Sequence, residues 1–136
     1  MLFRSLVSND DIEVTSPEDI EVYERAMDGG ATCAVGRNGI GMSLFAVSRG
    51  CIEKIGWFDE VFWPAYFEDW DFHRRLVLAG DDQTGVATGV RHHKSASTGG
   101  RHPLWRHNLA TFSAKWGYDP QTGLCLFTTQ IGRAHV

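Results

Sequence analysis

Residues 42–48 (Met-Ser-Leu-Phe-Ala-Val-Ser) form a short, continuous apolar run between the glycine-punctuated segment 36–41 and Gly50. A strand with no polar alternation must be covered on both faces, so this run calls for a sheet with layers on either side. Residues 2–8 are also mostly apolar and lead into Asn9-Asp10-Asp11, which predicts a second buried strand with acids at its carboxyl end. Residues 86–93 predict a third strand, closed by His92 and His93.

Helical signals fall between these strands. Ser16 is an expected cap with Pro17 at the first helical position, and Ile20, Tyr23 and Met27 share one face before Gly29-Gly30. Residues 50–56 read as a short helix closed by glycine, and 57–67 as an irregular, aromatic-rich connection containing Pro64. The clearest helix spans 68–79 and stops at Gly80. Phe72, Leu76 and Ala79 lie on its buried side, with Asp71 and Arg75 as an exposed i,i+4 pair. A last helix carries Trp105, Leu109, Phe112 and Trp116 and ends at Gly117. Strands alternating with helices predict an α/β fold, a mixed sheet flanked by helices, whose ligands sit outside the carboxyl ends of strands. The domain is expected over residues 1–117, with 118–136 a tail disordered from about residue 130.

Composition narrows the function classes. The 136 residues carry a net charge of -4 with both signs interspersed, which argues against a nucleic-acid partner. No apolar run approaches the ~20 residues of a spanning helix, and the amino terminus is too short for a secretory signal. Cys33, Cys51 and Cys125 match no metal-finger spacing and fit small apolar residues of a reducing compartment. The expected location is the cytoplasm, free or peripheral at its membrane.

Three groups carry chemistry. Asn9-Asp10-Asp11 at a strand end suits a hard divalent cation that takes further ligands from a phosphate, although the same residues are common in plain turns. Glu68-Asp69 opens the best helix, where the dipole favours an ionised carboxylate able to take a proton from a hydroxyl; helix capping accounts for acids there equally well. The lead-in Phe62-Trp63-Pro64-Ala65-Tyr66-Phe67 offers flat apolar and aromatic faces that suit a carbohydrate ring. In 91–101, one of His92 and His93 could ligate a metal, and Lys94 with the Ser/Thr/Gly run suits a diphosphate; a solvated loop is the plain alternative.

In order and spacing these blocks resemble the family-2 glycosyltransferases of GT-A fold. The similarity runs through Leu6-Val7-Ser8-Asn9-Asp10-Asp11, Ser43-Leu44-Phe45-Ala46-Val47-Ser48-Arg49 and Ile55-Gly56-Trp57-Phe58-Asp59-Glu60-Val61-Phe62. It continues in Tyr66-Phe67-Glu68-Asp69-Trp70-Asp71-Phe72-His73-Arg74-Arg75, in Val90-Arg91-His92-His93-Lys94-Ser95-Ala96-Ser97-Thr98, and in Asn108 with Lys115-Trp116-Gly117.

The resemblance implies inverting transfer of a sugar from a nucleotide-diphosphate sugar to the hydroxyl of a carbohydrate or glycoconjugate. Asp11 would bind Mn²⁺ or Mg²⁺ carrying the donor diphosphate, beside Asn9 and Asp10 in the DxD-like motif. His92 would complete the metal site, with His93 as its alternative, and Lys94 would face the diphosphate. Asp69 would be the base, Glu68 would help to position acceptor or base, and Trp63, Tyr66 and Trp70 would contact the acceptor. In the family a nucleotide-binding βαβ region precedes the DxD strand, so the chain is expected to be an amino-terminally incomplete, partial GT-A fold that self-associates through exposed sheet surface. Two alternatives stand beside this reading: a non-catalytic sugar- or partner-binding remnant of the fold, and a small metal-dependent hydrolase.

Overall fold

The computed structural model describes residues 4–93 and 104–118. Within them the chain is a mixed α/β protein, a mixed sheet flanked by helices. It divides into two compact units, one made of Met1–Trp57 and Arg75–Gly100, the other of Phe58–Arg74 and Arg101–Val136.

The first unit holds the sheet. Its strands are β1 (Arg4–Ser8), β3 (Cys33–Gly36), β4 (Gly41–Ser48) and β5 (Thr84–Val86), in the order β1-β4-β3-β5. The long apolar strand β4 lies between β1 and β3, antiparallel to both, while β5 runs parallel to β3. Leu44, Phe45, Ala46 and Val47 are all buried, as a doubly covered strand requires. Leu44 and Ala46 face helix α1 (Glu18–Asp28) through a core with Tyr23, Met27 and Ala34. Phe45 meets Trp57 at 6.3 Å between ring centroids. Helix α2 (Arg49–Ile55) follows, capped by Ser48 Oγ accepting from Cys51 N and stopped at Gly56 with φ 80°.

Several expectations are corrected here. Strand β1 is not buried: Leu6 is 44% exposed and Ser8 is exposed, because β1 stands at the end of the strand order. Ser16 does not cap α1. The Asp19 carboxylate reaches back instead, and its Oδ2 accepts from Thr15 N (2.7 Å), Thr15 Oγ1 (2.8 Å) and Ser16 N (3.1 Å). These bonds, the Thr15 N–H first among them, hold Asp19 below the usual carboxylate range.

The stretch 86–93 is not one strand. Strand β5 ends at Val86, and β6 (Arg91–His92) pairs with β2 (Ile12–Glu13) in a separate two-stranded ribbon. The break has a cause in the intervening residues. Thr88 Oγ1 donates to the Asp19 carbonyl (2.9 Å), and Gly89 lies so close that a Cβ would sit 2.5 Å from Asp19 Oδ1. Strand β3 went unpredicted, since Cys-Ala-Val-Gly carries little β signal. Its Gly36 is needed where Ile40 and the Tyr23 hydroxyl approach: a Cβ there would meet them at 2.6 and 2.9 Å.

Helix α3 (Glu68–Leu78) contributes Arg75–Leu78 to the first unit. Arg75 is not an exposed partner of Asp71. It donates to the carbonyls of Ile55 and Trp57, the latter at 2.8 Å.

The second unit contains a 3₁₀ turn (Glu60–Phe62), the first part of α3 and helix α4 (Trp105–Trp116). Its core is aromatic: Phe62, Phe67, Phe112 and Trp116 are buried, with Tyr66, Trp105 and Tyr118 packed on them. Asp71 is fully buried here, receiving Lys115 Nζ at 2.6 Å and Trp116 Nε1 at 3.0 Å on Oδ1. Lys115 also reaches Asp59 Oδ2 at 2.9 Å, so one ammonium ties α4 to α3 and to the cap of the 3₁₀ turn.

No helix among the described residues is long and apolar enough to cross a membrane.

Candidate functional site

The expected site residues fall in both units. In the first, the turn after β1 exposes Asn9 and Asp10 and turns Asp11 inward, its side chain 9% exposed. The β2–β6 ribbon brings His92 to it. Ile12 pairs with His92, His93 N donates to the Asp11 carbonyl (2.8 Å), and His92 Nε2 stands 3.1 Å from Asp11 Oδ2. His93, on the opposite face of the strand, instead meets Glu13 Oε2 at 2.8 Å on the surface. Of the two imidazole rings, that of His92 meets the Asp11 carboxylate and that of His93 meets Glu13.

Ser43 joins this pair unforeseen, its Oγ 3.5 Å from His92 Nε2. Ser43 and Asp11 therefore reach the same ring nitrogen. A serine–histidine–aspartate relay needs them on opposite nitrogens, so this trio does not form one.

The Asp11–His92 spacing fits a small divalent cation. Octahedral ligands at about 2.1 Å from the ion lie about 3.0 Å from one another, close to the separation of Asp11 Oδ2 and His92 Nε2. Such an ion characteristically takes few protein ligands and fills its sphere from phosphate and water. No group of three or more His, Cys, Asp or Glu converges among the described residues. One feature pulls the other way: His92 Nδ1 is buried with no hydrogen-bond partner, whereas a metal-bound histidine ordinarily donates that N–H to an outer partner. Lys94, expected beside the diphosphate, lies outside the described residues.

The acids of the second unit stand on a distorted lead-in. Tyr66 and Phe67 both have positive φ, 81° and 70°, immediately before Glu68 and Asp69. Two consecutive non-glycine residues in that region cost on the order of 1–3 kcal/mol each, and such corners persist only where surrounding contacts enforce them. One contact on this corner comes from Asn108 on α4, wholly buried, whose Nδ2 donates to the carbonyls of Phe62 (2.8 Å), Ala65 (2.6 Å) and Tyr66 (3.4 Å). The sequence shows only an asparagine on an otherwise apolar helix face. A polar residue in register with Trp105, Phe112 and Trp116 was the available signal.

Burial governs the two carboxyl groups, and this corrects the dipole expectation. Desolvation first, with the neighbouring Asp69 charge adding to it, pushes Glu68 from 4.5 up to about 7. Asp69 is raised too, again by burial, against the Trp70 N–H that its Oδ1 accepts at 2.9 Å and the nearby His73. Glu68 Oε2 is buried without a hydrogen-bond partner. Around them Trp63 is 76% exposed, Trp70 is half-exposed and Tyr66 is partly buried, so two of the three expected acceptor contacts present broad open faces.

A stability signature follows from Glu68. Its folded pKa exceeds its unfolded one, so its contribution is complete below about pH 4.5 and is lost as pH rises through about 7. Urea midpoints should fall from pH 5 to pH 8, and Glu68→Gln should flatten that fall. An equal slope in the variant would remove the assignment.

A groove of about 200 Å³ between β1 and α1, lined by Leu6, Ile20, Met27 and Ala46 with Arg4 at its rim, contains none of the expected site residues. No protein-family model, curated protein or solved structure matches this chain.

Proposed function

We propose that this chain is the metal-binding and acceptor-side part of an inverting glycosyltransferase of GT-A fold that uses a nucleotide-diphosphate sugar. The observation that carries the reading is the meeting of Asp11 and His92. The resemblance makes both of them metal ligands, they stand 81 positions apart in the chain, and their side chains meet at 3.1 Å.

In this reading Asp11 and His92 hold Mn²⁺ or Mg²⁺. The bound cation supplies charge to offset that developing on the leaving diphosphate. Asp69 accepts the proton of the acceptor hydroxyl as that oxygen attacks, and burial raises its affinity for that proton. Glu68, protonated over part of the neutral range, donates or accepts a hydrogen bond to orient the acceptor. Trp63 and Trp70 offer flat apolar faces to its ring. One displacement on the face opposite the leaving group inverts the sugar carbon.

Calorimetric titration with Mn²⁺ and a nucleoside diphosphate tests the metal side. Asp11→Ala should weaken binding by more than about 100-fold, beyond the usual cost of losing an outer hydrogen-bond partner. Binding indifferent to Asp11, or none by the wild type, would sink the donor-site claim.

A further inference from the structure

We propose that Asn108 is a positioning residue for the acid pair: its side-chain amide holds the Tyr66–Phe67 corner in the left-handed conformation that aims Glu68 and Asp69. The role of those acids rests on the functional reading above, whereas the positioning itself can be tested without it.

Three observations converge. Asn108 is completely buried, and its Nδ2 donates to three carbonyls of one short loop, those of Phe62, Ala65 and Tyr66. An amide nitrogen has two protons, so the two short bonds, to Phe62 and Ala65, use its full capacity and the 3.4 Å approach to Tyr66 is a weak third. The loop so gripped ends in the two positive-φ residues, Tyr66 and Phe67, and the next two residues are the acids. Asp71 N then donates to the Phe67 carbonyl at 2.9 Å, so the corner is also the first turn of α3. A shift of the corner therefore rotates the start of the helix and both carboxyl groups with it.

A buried asparagine placed merely to satisfy a helix would bond within α4. The bonding of Asn108 is directed instead to a neighbouring loop whose backbone no ordinary side chain favours. Its stereochemistry is also specific. Aspartate has the same shape, but its ionised carboxyl has no proton to donate and would set oxygen against the three carbonyl oxygens.

The readout is the titration of Glu68, followed by carboxyl ¹³C resonance in the full chain. In wild type burial should hold that titration up at about 7. In Asn108→Asp and Asn108→Ala the corner relaxes and Glu68 gains water, so its proton affinity should drop about tenfold. Adding Tyr66→Gly, which adopts positive φ without strain, should restore much of the wild-type titration in either background. A purely structural role would give neither the selective change at Glu68 nor its rescue by glycine.

An unchanged Glu68 titration in folded Asn108 variants would overturn the proposal. If those variants do not fold, wild type decides: Asn108 side-chain protons exchanging as fast as surface amides overturn it, and protected protons support it. A Glu68 shift in a protein that transfers no sugar would uphold the positioning and count against the transferase reading instead.

Discussion

Asp69→Asn is expected to lower sugar transfer by about 10²–10⁴-fold with Mn²⁺ affinity unchanged. The substitution keeps shape and removes only the ability to hold a proton. If Asp69 takes the acceptor proton in the transition state, the loss appears in kcat and in kcat/KM alike, because the interaction is absent from the ground state. The competing account is plain: an acid in the first turn of α3 favours the helix dipole. That is worth about 0.3–1 kcal/mol of stability and nothing in catalysis. The two accounts differ by orders of magnitude in rate, so a panel of uridine, guanosine and thymidine diphosphate sugars with simple glycoside acceptors can separate them. Transfer surviving at near wild-type rate in Asp69→Asn would end the assignment.

The largest stability loss is expected from Lys115→Met. Asp71 is fully buried, and Lys115 Nζ stands 2.6 Å from its Oδ1. Lys115 is itself exposed, so removing it leaves the buried carboxylate short of a partly screened counter-charge, at about 1–3 kcal/mol, a sizeable share of the ~5–15 kcal/mol that holds a typical domain folded. Denaturant unfolding followed by tryptophan fluorescence reads the loss directly, because Trp116 Nε1 bonds the same Asp71 oxygen. Combining Lys115→Met with Asp71→Asn should recover much of it, since a neutral pair carries no stranded charge. A single variant as stable as wild type would mean that the carboxylate draws its compensation elsewhere.

Much of this architecture is legible in the residues themselves. Strand β4 announces itself by four consecutive apolar side chains, and α4 by a stripe ending at Gly117, which adopts the expected left-handed φ of 75°. What escapes is whatever depends on a distant partner. Asp71 is written as half of an i,i+4 surface pair, and only the approach of α4 turns it inward. The break between β5 and β6 depends on Asp19, a residue of the distant helix α1. At the candidate sites the residue types were readable, and so was the rule that only one of His92 and His93 can face a given way; which one meets Asp11 follows from the β2–β6 register. The Asn108 grip was not, since three hydrogen bonds to a loop some forty residues upstream leave no local pattern.

The contact between Asp19 and Gly89 also has a bearing on how this sequence can drift. Any side chain at position 89 would collide with the Asp19 carboxyl, yet that carboxyl organises the entry to α1 through Thr15 and Ser16. Neither residue can change alone without loss. Descendants of this chain should keep both or exchange both, and a shortened side chain at 19 is the step that would first release the glycine.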